Sequence, residues 1–95
     1  MIIIAGHVVV PADQRTVWVD AFRDLVGRAR DADGCIEVAI TADSVDLRRI
    51  DILEIWRDAA ALDSWRSHAD APDLGIEPIE MSMKRYDATD GGPLF

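Results

Sequence analysis

Two hydrophobic rhythms alternate along the chain. Residues 2–10, "IIIAGHVVV", form a nearly unbroken apolar run rich in β-branched side chains and halted by Pro11, which predicts a strand. The period then lengthens. Trp18, Ala21, Phe22, Leu25, Val26 and Ala29 fall on one side of a helical wheel, predicting one amphipathic helix of about four turns, capped by Asp13 and ended by a left-handed Gly34. Alternation returns in "CIEVAIT" (35–41), with Ile36, Val38 and Ile40 on one face of a second strand. "DSVD" makes a turn into a third strand, "LRRIDILEIW" (47–56). Asp58 then caps a second helix, "AAALDSWRSH", which buries Leu62, Trp65 and Ala69. Pro72, Gly75 and Pro78 keep residues 69–78 from being helical throughout. "IEMSMKRYD" (79–87) reads as a fourth strand, so residues 1–87 form one domain and 88–95 a tail.

The order β-α-β-β-α-β is that of a ferredoxin-like α+β domain with a four-stranded antiparallel sheet. Two helices can cover only one face of that sheet. Yet the first strand is apolar at both parities, with Ile2, Ile4, Val8 and Val10 on one side and Ile3, Ala5 and Val9 on the other. A strand apolar on both faces is normally buried on both. A second copy of the same sheet is the simplest cover, which predicts a homodimer.

Composition narrows the function classes. The net charge of −8, with acids spread along the chain, disfavours nucleic acid and anionic membrane surfaces. No apolar stretch is long enough to span a bilayer, and the opening run lacks the basic flank of a signal peptide. Cys35 is the only cysteine, which excludes an internal disulfide and fits a reducing, cytoplasmic compartment. The two histidines and one cysteine lie too far apart in sequence to suggest a metal site. There is no phosphate-binding glycine loop and no nucleophile elbow.

The candidate chemistry is concentrated in a few side chains. His7 interrupts the first strand at the parity of Ile3, Ala5 and Val9; it either faces a pocket or is a satisfied core histidine. Trp65 and His68 are neighbours at one flank of the second helix and would join His7 if that residue faces the helices. Glu54 shares its parity with Ile50, Ile52 and Trp56, so it faces a cavity or pairs with an arginine such as Arg49 or Arg85. Tyr86, in the last strand, has a hydroxyl to offer a pocket or sits at an edge. Trp18 and Phe22 read as core.

Three stretches carry a family resemblance: "VVVPADQ" before an amphipathic helix, "DADGCIEVAIT" leading into the second strand, and "ILEIWRDAAALDSW". Through residue 87 the chain resembles the antibiotic biosynthesis monooxygenase family of dimeric α+β barrels. The resemblance implies a pocket between sheet and helices, with sheets packed face to face in a dimer. Family enzymes include oxygenases that attack electron-rich aromatics without flavin or metal, and haem-degrading enzymes. His7 stands where several members carry a polar residue, often asparagine, and Trp65 matches a helix tryptophan. The haem-ligating histidine of some relatives has no counterpart here, since that register falls near Gly75. The resemblance therefore points to a cofactor-independent monooxygenase acting on a small apolar aromatic or quinol. His7 and Trp65 would be its catalytic residues, with His68, Tyr86 and Glu54 binding substrate. A non-catalytic dimeric binding module on the same fold is the competing expectation.

Overall fold

β1 (Ile2–Val9) lies inside the sheet, hydrogen-bonded on one side to β3 (Arg49–Trp56) and on the other to β4 (Glu80–Asp87). This interior place suits its nearly unbroken apolar sequence. β2 (Cys35–Ala42) closes the far edge, giving the order β2-β3-β1-β4 with every neighbour antiparallel. The computed structural model describes all of residues 1–95 and has the predicted α+β, ferredoxin-like topology.

Three helices cover one face: α1 (Arg15–Ala21), α2 (Arg23–Arg30) and α3 (Ala59–Arg66). The single first helix expected from the wheel is divided at Phe22, whose ψ of −2° tightens the turn while its N–H still donates to the Trp18 carbonyl. Asp13 is not its cap. It sits inside a 3-10 turn, Ala12–Gln14, that hangs from the Pro11 carbonyl and has no side-chain cap. Asp58 does cap α3, accepting the Ala61 N–H at 2.8 Å. Gly34 turns the chain with φ +81°, and a Cβ there would collide with the Ala61 side chain of α3. Only glycine lets the loop lie this close to the helix.

Direct partners across antiparallel strands share a face. Ile2 pairs with Trp56, Ile4 with Glu54 and Val8 with Ile50, and these face the helices. Ile3 with Ile55, Ala5 with Leu53, and His7 with Asp51 face the other way. The helix-side core is two clusters, one around Trp56, Leu62 and Trp65, the other around Val8, Val10 and Ile50. Ile36 was expected on the face of Val38 and Ile40. A bulge between Cys35 and Glu37 shifts the register instead and leaves Ile36 56 % exposed.

The α3 cap makes stability depend on pH. The Ala61 N–H, with Arg57 beside it, holds the Asp58 carboxyl below its usual range. A depressed native pKa gives stability that is present above the unfolded value and lost as pH falls through the folded one. Asp58→Ala is therefore expected to lower Tm by about 4–8 °C at neutral pH. The gap to wild type should close as pH drops below roughly 4, which thermal scans across acid pH would show.

Candidate active site

A cavity of about 330 Å³ lies between the sheet and the helices. Its sheet wall is Ile4, Val38, Ile40, Ile52, Glu54 and Met83, and its helix-side wall is Phe22, Leu25, Trp65 and Arg66, with Ala69 from the segment after α3. That volume is at the small end of ligand pockets, and an apolar lining with a few polar groups is their usual character. α3 ends at Arg66, and of the irregular segment after it only Ala69 reaches the lining, while Ile76 packs against the separate cluster of Val8, Val10 and Ile50. Gly6, paired with Met83, contributes as well. A Cβ there would run into the Ser82 carbonyl and the Met83 sulfur, so its absence lets Met83 fold over β1.

Glu54 is the only acidic group in this lining. Its Oε1 accepts a 3.0 Å hydrogen bond from the Trp56 indole N–H, two residues along the same face of β3. Its other oxygen accepts nothing from the protein and is free to meet a ligand. Neither arginine anticipated for it is engaged: Arg49 donates to Asp51 at 2.6 Å, and Arg85 forms no ion pair with Glu54. Trp65 is held from three sides. It stacks on Trp56 with centroids 6.2 Å apart, meets the His68 ring edge-on at 5.4 Å, and has the Arg28 guanidinium 5.7 Å from its ring centre. A ring so fixed is a preformed wall for a flat ligand.

The five candidate residues do not converge. Glu54 and Trp65 share the cavity. His68 touches Trp65 from its outer side and lines a separate surface groove with Asp33 and Arg57. His7 is paired with Asp51 and Ser82 on the opposite face of the sheet, where its Nε2 is 3.8 Å from Glu80 Oε1. It therefore does not face the helices and cannot join Trp65. Tyr86 is paired with Ile3 and is on that same far face, half exposed. Phe22, read as core, is a cavity wall, with Trp18 stacked behind it at 5.3 Å. Arg66 was missed altogether. Its spacing of four from Leu62 and three from Ala69 puts it at the margin of the buried stripe, a signal the sequence does carry.

Other groups contribute less. Burial, followed by the charges of Glu37 and Glu54, pushes the Cys35 thiol above its usual range, the reverse of an activated thiolate. No three His, Cys, Asp or Glu side chains converge as metal ligands would. No helix is long and apolar enough to cross a membrane.

The family model for antibiotic biosynthesis monooxygenases matches residues 1–73. The chain belongs to that family, ABM for short. No curated protein matches this ABM chain in sequence, but solved structures share its fold. One is a proposed antibiotic biosynthesis monooxygenase of Caulobacter crescentus, 17 % identical, with a TM-score of 0.77 over 94 % of this chain and 90 % of that one. Another is a Bacteroides thetaiotaomicron protein of unknown function, suggested to be an oxidoreductase, at 21 % identity and TM-score 0.74 over 90 % and 94 %. A proposed monooxygenase of Deinococcus radiodurans is 16 % identical, with TM-score 0.72 over 100 % and 99 %. At these identities the likeness establishes the fold of the ABM chain.

Proposed function

We propose that this ABM-family chain is a monooxygenase that oxidises a small electron-rich aromatic or quinol with O₂, without a cofactor, in the cavity between sheet and helices. The observation that carries this reading is Glu54: one carboxylate in an apolar cavity, oriented by Trp56 and facing a fixed tryptophan wall. Trp65 packs the flat ring and Glu54 is the general base. In an anthrone-like substrate, Glu54 takes a proton from the ring CH₂ and the carbanion gives an electron to O₂. The two radicals join as a peroxide, which is protonated by Glu54. Loss of the second ring hydrogen then breaks the O–O bond, leaving C=O on the ring and releasing water. One O₂ thus supplies one oxygen atom to product and one to water.

This reading gives the proton transfer to Glu54, expected to bind substrate, and not to His7, expected to be catalytic, because of the two only Glu54 lines the cavity. The test is oxygen uptake by chelator-treated protein against a panel of anthrones, hydroquinones and naphthols. Uptake that depends on substrate, with one O₂ consumed per oxygen atom added to the ring, is the expected result. A panel that neither binds nor consumes O₂ would transfer the assignment to a non-catalytic binding module.

The protein is also proposed to be a homodimer. No helix covers the far face of the sheet, where Ile3, Ala5, Leu53 and Ile55 form a continuous apolar centre across β1 and β3. Such a patch in the middle of a sheet is a self-association surface.

A further inference from the structure

Every arginine of the chain is engaged with a carboxylate or a backbone carbonyl except Arg66 and Arg85. With a net charge of −8, acidic partners are abundant, so two arginines left without one are exceptions. Both are on the helix-covered face of the sheet, beside the cavity. Arg66 ends α3 and is the one solvent-exposed residue of the lining, so it stands at the mouth. Arg85 is the direct partner of Ile4, whose partner on the other side is Glu54. Glu54, Ile4 and Arg85 thus form one row across three strands, with the outer two about 10 Å apart by strand spacing. Arg85 also follows Met83, a lining residue, by two positions on the same face, and β4 is exposed there.

The cavity therefore has two poles: a hydrogen-bond acceptor inside, at Glu54, and uncommitted guanidinium groups outside. We propose that Arg66 and Arg85 bind a carboxylate on the outer end of the substrate, making it a hydroxylated aromatic acid whose hydroxyl proton passes to Glu54. The phenolate then carries carbanion character on the ring carbon beside it, which reacts with O₂ and loses its hydrogen with release of water as the anthrone carbon does. The proposal rests on the cavity being the site of aromatic oxidation. Arginine suits the task because its planar donors match a carboxylate in pairs. Glu54 adds direction, since it repels a carboxylate inserted the wrong way round.

Isothermal titration with 6-hydroxy-2-naphthoate, its methyl ester and 2-naphthol tests this, with oxygen uptake recorded on the same three compounds. The acid is expected to bind at least about tenfold more tightly than the ester at low salt, and added salt should erode that advantage. Arg66→Gln should abolish the advantage and Arg85→Gln should reduce it. Equal binding of acid and ester, an advantage untouched by either substitution, or no binding of any of the three overturns the proposal. Oxidation of 2-naphthol or the ester as readily as the acid would overturn it while leaving the oxidation reading intact. An arginine-dependent preference for the acid without oxygen uptake would support the anion site and count against oxidation.

Discussion

Glu54→Gln is expected to lower substrate-dependent oxygen uptake by at least 10²-fold, the lower end of what a positioned general base contributes. The substitution is chosen for what it keeps. The glutamine side-chain oxygen can still accept from the Trp56 indole, so the 3.0 Å bond that orients the residue survives. Shape and packing survive as well, and Tm should stay close to wild type. What disappears is the ability to take a proton. His7→Ala is the contrasting variant: on the far face of the sheet, 3.8 Å from Glu80, it should change the rate by less than about threefold. If His7→Ala is the damaging substitution and Glu54→Gln is tolerated, the base is not in this cavity and the assignment fails. Rates and melting temperatures measured on both variants decide between these outcomes.

That Glu54 takes the catalytic role expected of His7 shows where the sequence was readable. Strand alternation put His7 with Ile3, Ala5 and Val9, and put Glu54 with Ile50, Ile52 and Trp56; the register keeps both sets together. What alternation could not decide was which parity of β1 faces the helices, because both are apolar. Only pairing with β3 resolves it, and pairing depends on register between segments far apart in sequence. Trp56, fully buried, and Ile50, likewise, commit the even positions of β3 to the helix side. Ile2, Ile4 and Val8 follow them, and His7 is left opposite. Local signals fared better: the Asp58 cap and the Gly34 turn depend on a few neighbouring residues and are found where the sequence puts them. Asp13 fared worse, because Pro11 and the 3-10 turn after it occupy the start of the helical segment. The bulge at Ile36 had no local mark at all. The cavity was legible only as a class of pocket, since its floor depends on Met83 crossing Gly6 from another strand.

The apolar pattern on both faces of β1 leads to a second large effect. Leu53→Asp is expected to convert the proposed homodimer to monomer, weakening association by roughly 10²-fold or more. Leu53 is half-buried on β3, paired with Ala5 on β1 and Ala39 on β2, at the middle of the uncovered face. A two-fold interface built on that face contains Leu53 from both copies, so one substitution places two unpaired carboxylates in a desolvated contact. Val45→Asp provides the control, since Val45 is 88 % exposed in the β2–β3 turn and an added charge there should leave the assembly unchanged. The side chain of Leu53 points away from the Glu54 cavity, so the substitution does not touch the cavity lining directly. Sedimentation at micromolar protein reads the mass, and oxygen uptake on the same sample reads the site. A monomer that retains uptake shows that each chain carries a complete site and that the second copy serves stability. A Leu53→Asp protein that remains dimeric means the copies meet elsewhere, and the apolar parity of Ile3 and Ala5 then needs another cover. Loss of both together would make the proposed dimer a condition of the active site, because a chain of this size buries only about 60 % of its unfolded surface alone and a second sheet would add to what holds the cavity in place.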